Sequence, residues 1–129
     1  MNFSGIDAIY IAGPMTGYPD HNFPAFDSAE RRLCKQGLNV ISPAEIDRVV
    51  FGWGTFPPKD TNMPMFSTKK DTIIRRDIAI IFDMDAEHSA LYMLDGWFDS
   101  PGACLERAVA RYRGMKIFYE AEDRDALSD

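Results

Sequence analysis

Ala90-Leu91-Tyr92-Met93-Leu94, then Asp95-Gly96-Trp97-Phe98, then Asp99-Ser100-Pro101-Gly102-Ala103-Cys104-Leu105-Glu106-Arg107-Ala108-Val109-Ala110-Arg111 is the stretch on which the fold turns. Its first five residues are an unbroken apolar run and read as a buried strand. Ser100 is a good N-cap whatever else it does, Pro101 suits the first helical position, and Gly102 permits close approach. Strand, polar turn and helix start, in that order, bring free N–H groups and the positive end of a helix dipole to the strand's end, where α/β proteins bind phosphate. Glu106, flanked by Leu105 and Val109, falls within the first two turns of this helix. A carboxylate so near an anion-binding helix start is a candidate for chemistry.

Upstream, Ala8-Ile9-Tyr10-Ile11-Ala12 is another apolar, β-rich run, emptying into Gly13-Pro14-Met15-Thr16-Gly17. That turn lacks G-x-G-x-x-G spacing, which weakens a dinucleotide reading. From about Asn22 to Gln36, Phe26, Ala29, Leu33 and Cys34 recur at helical spacing, and Gly37 stops the helix. Leu38-Asn39-Val40-Ile41 reads as a strand closed by Ser42-Pro43. Strand, helix and strand in so short a span predict a right-handed βαβ unit and a parallel sheet. Downstream, Gly114 ends the helix that begins at Pro101, Lys116-Ile117-Phe118-Tyr119 is a last strand, and the acidic tail Glu120 to Asp129 is expected to fray.

Between Phe51 and Phe66 regularity fails. Gly52, Gly54, Pro57, Pro58 and Pro64 punctuate a segment kept apolar by Phe51, Trp53, Phe56, Met63, Met65 and Phe66. Such a composition predicts an ordered loop, either covering core or acting as a substrate lid. Ser67 or Thr68 then caps a helix running to about Phe82, with Ile73, Ile74, Ile78 and Ile81 as its buried stripe. Asp77 sits in that stripe. A carboxylate there is costly unless paired with an Arg, used as a cap, or used in chemistry. Asp83 to His88 is a polar connection.

At 129 residues, 46% of them apolar, the chain suits one domain with a packed core. No apolar run is long enough to cross a bilayer, and the opening residues lack the basic, apolar, small-residue pattern of a signal peptide, so none is expected. Cys34 and Cys104 have no C-x-x-C spacing, so neither metal nor redox chemistry is suggested and a cytoplasmic setting is expected. His21 and His88 are isolated. The net charge of −6, with no basic cluster stronger than Lys69-Lys70 or Arg75-Arg76, argues against a nucleic-acid polymer as partner. A single small nucleotide stays possible.

The strands' carboxyl ends deliver three segments to one edge: Gly13 to Gly17, Phe51 to Phe66, and Asp95 to Gly102. Ligands of open parallel sheets bind at that edge. Two carboxylates on separate helices beside one pocket can divide labour, one as nucleophile and one as acid toward a leaving group. Cleavage of an N-glycosidic bond needs that division.

Ile9-Tyr10-Ile11-Ala12-Gly13-Pro14-Met15, then Arg76-Asp77, then Ser100-x-Gly102-x-x-x-Glu106 resemble, in order and spacing, the nucleoside 2-deoxyribosyltransferase superfamily. The likeness covers roughly residues 8 to 119. It is nearest to the small, often phage-encoded branch with the I-A-G-P-M-T-G opening and extends to the deoxynucleoside 5′-monophosphate N-glycosidases. The resemblance implies a single Rossmann-like or flavodoxin-like α/β domain of four to five parallel strands flanked by helices, occupying residues 1 to 129. It implies Glu106 as the nucleophile that forms a glycosyl-enzyme intermediate, Tyr10 as the residue that orients it, and Asp77 as the group that contacts the sugar and assists proton movement. Ser100 and Gly102 match the phosphate-binding turn, with Asp99 adjacent where nucleoside transferases more often carry Asp. Homodimers or larger assemblies are implied, and no cofactor or metal.

The chain departs from those enzymes in its long Phe51 to Phe66 segment and in Asp95-Gly96-Trp97-Phe98, which lengthens the turn before the nucleophile's helix. Some candidates keep two readings. Tyr10 is equally an ordinary strand aromatic. Gly13, Pro14 and Met15 either contact substrate or only shape a turn, and Trp97 either fills core or stacks on a base. The expected activity is cleavage of a (deoxy)nucleoside 5′-monophosphate by hydrolysis or base transfer, in the cytoplasm of a bacterial host if the chain is phage-encoded. The alternatives are a non-catalytic nucleotide binder on the same fold and, third, an interaction module that docks through Trp53.

Overall fold

The computed structural model describes residues 1–59 and 70–123. β1 (Ala8–Ala12) leads through a single 3-10 turn at Pro19–Asn22 into α1 (Phe23–Lys35), and β2 (Asn39–Ile41) leads into α2 (Pro43–Phe51). α3 (Lys70–Asp83), β3 (Ser89–Met93), a 3-10 turn at Trp97–Asp99, α4 (Pro101–Tyr112) and β4 (Lys116–Tyr119) follow. The strands form one all-parallel sheet in the order β2-β1-β3-β4. This is the α/β architecture expected, a sheet of the Rossmann-like and flavodoxin-like kind flanked by helices. Tyr10 stands opposite Ile41 on one side and Leu91 on the other, and β3 pairs β4 from Ala90 and Lys116 onward.

Alternation along the strands sorts the core into two layers. Ile9, Ile11, Ala90, Tyr92 and Leu94 meet Phe23, Phe26, Ala29 and Leu33 of α1 and Ala44 of α2. Tyr10, Ala12, Leu91 and Met93 face the other way, onto Ile81 of α3 and Ala103 and Ala110 of α4. β3 is buried along its whole length, as a central parallel strand must be. The chain leaves β1 toward β2 on one side and β3 toward β4 on the other. The crevice between the carboxyl ends of β1 and β3 is therefore the switch point of the sheet.

One expectation needs correction. Ser42-Pro43 does not merely close β2, because it opens α2, with Pro43 in the first turn where its missing N–H costs nothing. The segment that follows β2 at the ligand edge is thus a helix, and the aromatic stretch comes after it. Trp53 is half-buried: it stacks on Phe51 with ring centroids 4.9 Å apart, lies 6.1 Å from Phe23, packs on the α1 side of the core and borders a surface cavity. Met63, Met65, Phe66 and the proposed caps Ser67 and Thr68 lie outside the described residues. The tail starts with helical backbone at residues 120–123, where Glu120 accepts a hydrogen bond from the Asp95 N–H and pairs with Arg32 at 2.8 Å.

Candidate active site

β1 turns Tyr10 toward α4, and α4 sends Ala103, Glu106 and Ala110 back along one inward stripe. The two alanines leave room for the longer carboxylate between them. The Tyr10 hydroxyl donates to Glu106 Oε2 at 2.5 Å, a bond between residues 96 apart in the chain. Tyr10 is fully buried and Glu106 is 5% exposed. From α3, Asp77 lies one turn before Ile81 on the buried stripe and is 6% exposed. The neighbouring Arg76 gives Nε and one terminal nitrogen to Asp77 Oδ1, at 3.0 and 2.8 Å, and the same terminal nitrogen reaches Asp47 Oδ1 of α2 at 2.8 Å. Three carboxylates, one guanidinium and one phenol thus converge below the carboxyl ends of β1 and β3.

Burial outweighs pairing for the acids. Desolvation pushes Glu106 up to about 8, with the Asp77 charge adding to the rise and the Tyr10 bond and Arg76 opposing it. Asp77 is pushed up to about 6, again by burial first, against Arg76 and the Tyr10 hydroxyl and with Asp47 contributing. Asp47 is raised for the same leading reason, and burial beside both carboxylates drives the Tyr10 hydroxyl well above its usual value. One guanidinium cannot neutralise three carboxylates in so dry a place, so protons stay on. At neutral pH Glu106 is mostly protonated and Asp77 mostly ionised. Environments that push two carboxyl groups apart are how one site holds both an acid and a base.

Residues 7–119 match the family described as a domain of unknown function, DUF4406. The chain belongs to that family. No curated protein matches the sequence. Tyr10, Asp47, Arg76, Asp77 and Glu106 all fall inside the DUF4406 span.

The remaining predicted site residues sit in the two turns flanking the switch point. Gly13 has a packing reason to be glycine: a Cβ there would lie 2.8 Å from Leu94 Cβ, so the β1 turn is pressed against the end of β3. Pro14 is buried and its carbonyl accepts from Asn22 Nδ2 at 2.9 Å, while Met15 leans on the α1 layer. Gly96, with φ +82°, leaves space that the Tyr18 hydroxyl fills, since a Cβ there would come within 2.6 Å of it. The two turns are interlocked. Ser100 caps α4 by accepting from the Ala103 N–H at 3.2 Å, so that N–H of the helix start is already engaged. Gly102 faces Ile74, and Asp99 is exposed. Trp97 lies on Tyr119 at 5.8 Å with the Arg107 guanidinium 4.9 Å above its ring.

Asp47 and His21 were not singled out from the sequence, and Arg76 carried no role of its own there. Asp47 looks like an ordinary surface acid until α2 is recognised. His21 is close enough for each to bear on the other's titration: the imidazole lowers the Asp47 carboxyl, while burial lowers His21 itself. His21 sits with Asp20 and Asn22 in a run of three positive-φ residues just before α1, a conformation that concentrates at functional sites. Among the described residues no group of three His, Cys, Asp or Glu side chains is placed to hold a metal ion, and no helix is long and apolar enough to cross a membrane. Two surface cavities, of about 450 and 490 Å³, lie beside Arg48 and Trp53 and beside Ile78 and Phe82, and neither is lined by Glu106.

Proposed function

We propose that this DUF4406 chain is a nucleotide N-glycosidase or deoxyribosyltransferase, related to the nucleoside 2-deoxyribosyltransferases, that works in the cytoplasm as a homo-oligomer. Its substrate is a (deoxy)nucleoside 5′-monophosphate. The observation that carries the reading is the buried Tyr10 hydroxyl on Glu106, with Asp77 beside it and Arg76 behind. In the resting site the proton rests on Glu106, and Tyr10, which also helps to hold the Asp77 charge, lies between the two acids. When substrate binds, that proton passes to Asp77 and leaves Glu106 as a carboxylate. Glu106 then attacks the anomeric carbon, the bond to the base breaks, and the base nitrogen keeps the electron pair and takes the proton from Asp77. Water, or the nitrogen of another base, attacks the glycosyl ester, loses its proton to Asp77 and frees Glu106. The chemistry calls for no metal or organic cofactor. The phosphate is held at the Ser100-Pro101-Gly102 turn by the Gly102 N–H and the helix dipole.

A specific observation also favours a second reading, a binder that sequesters a nucleotide without turning it over: Glu106 is both closed off and mostly protonated at neutral pH. One experiment separates the two. Wild type and Glu106→Gln are incubated with a panel of nucleoside 5′-monophosphates and the free base is followed by chromatography. The enzyme reading expects release by wild type and a loss of several powers of ten in the variant. It also expects a bell-shaped kcat/KM, rising as pH passes about 6 and falling as it passes about 8, because the reaction needs the one proton that Glu106 and Asp77 share. Tight binding with no base released from any member of the panel establishes the binder instead.

A further inference from the structure

α3 buries Asp77 and Ile81 on its inner side, with Met84 just beyond its end, which leaves its opposite side facing outward. There Ile74, Ile78 and Phe82 follow one another at four-residue spacing and line a groove of about 490 Å³. Phe82 is 49% exposed, and Leu105 of α4, 48% exposed, widens the apolar strip. The Arg113 guanidinium, 5.2 Å from the Phe82 ring, closes the strip at that end. A second row, Arg75, Ala79 and Asp83, runs beside the first and borders the same groove. Its cation and anion stand about 12 Å apart along the helix axis, with the small Ala79 midway. Neither Arg75 nor Asp83 has an ion-pair partner among the described residues.

We propose that this face docks on the same face of a second copy of the chain, α3 against α3, antiparallel about a two-fold axis at Ala79. The row is its own complement under that operation. Reversing it sets Arg75 of each copy against Asp83 of the other, so the ion pair forms twice. At the axis the Ala79 methyl groups let the helix backbones approach, and Ile78 and Phe82 of each copy cover the other's strip. A partner carrying a single sign of charge would satisfy one end of the row and be repelled by the other. The surface deepens the self-association named in the proposed function and is independent of the chemistry of Glu106.

Sedimentation velocity on the full chain over a concentration series tests it. Wild type is expected to form a dimer. Arg75→Asp and Asp83→Arg alone each place like charges across both symmetric contacts and should weaken the dimer by about ten-fold or more. The double reversal, Arg75→Asp with Asp83→Arg, restores the pairs and should return affinity to within about three-fold of wild type. Ala79→Arg, bulky and charged at the axis, should leave a folded monomer whose melting no longer depends on protein concentration, because the position is exposed. A wild-type chain that stays monomeric at its solubility limit overturns both self-association and this surface. A dimer indifferent to the single reversals and to Ala79→Arg, or a double reversal that rescues nothing, overturns the surface alone. Base release is not read, so the reading of the active site stands or falls separately.

Discussion

On one side of the sheet β1 sends Ile9 and Ile11 into an apolar cluster with Phe23, Phe26 and Leu33. On the other side the residue between them, Tyr10, meets Glu106 and lies near Asp77. Both layers are equally buried, yet they do opposite things to the free energy of folding. Each side chain in the first layer gains by leaving water. The acids in the second are held there against their desolvation, with raised pKa values as the sign of it. Burial of the Glu106 carboxyl thus costs stability, while it supplies the acceptor for the buried Tyr10 hydroxyl; chemistry or binding is the role we propose for it.

The largest expected effect breaks the apolar layer. Phe26→Ala empties a position 1% exposed and should lower stability by about 3–5 kcal/mol, measured by urea unfolding. Glu106→Gln should do the reverse. The folded Glu106 holds its proton up to about 8 while the unfolded chain releases it near 4.5, so between these values the native state binds more protons. Wild-type stability therefore falls as pH rises through that window, by a few kcal/mol in all. The Gln variant should match wild type in acid, exceed it above pH 8 and lose most of the slope. A variant less stable than wild type at pH 9 would mean that the ionised carboxylate is well paired, contrary to the burial described.

Asp77→Asn sharpens the comparison at the level of turnover. It keeps size and one acceptor but can neither take nor give the proton, so base release should fall by about 10²–10⁴-fold with nucleotide affinity changed little. An affinity change as large as the turnover change would assign Asp77 to binding alone. The smallest effect belongs to Asp47→Asn. Its charge is one of the causes that raise Asp77, so its removal should move the lower limb of the pH–rate profile downward, by about one unit or less.

Local patterns in the chain carried most of the fold. β1, β3, β4 and the start of α4 are where apolar runs, Ser100 and Pro101 place them. α2 went unread although Ser42 and Glu45 stand at capping-box spacing around Pro43. The obstacle was Asp47: it occupies an inward position of α2 with Pro43 and Ala44, and a charge there breaks the apolar periodicity by which a helix is read. The same residue was therefore missed twice, as part of a helix and as part of the site. Trp53 has packing partners that no local pattern names: its ring stacks on Phe51 and lies near Phe23.

Sequence alone determined what lies within one or two turns of a given residue: the alternation that turns Tyr10 away from Ile9 and Ile11, the spacing that puts Glu106 on the stripe of Ala103 and Ala110, and the placement of Asp77 one turn before Ile81. These follow from the periods of strand and helix and need no knowledge of the rest of the chain. Tertiary structure decided who meets whom. Tyr10 and Glu106 are 96 residues apart and Asp47 and Arg76 are 29 apart, so their contacts depend on strand order and on which face each helix crosses. The protonation of the cluster was decided there as well, because desolvation is set by all the atoms around a carboxyl group and no local pattern contains them.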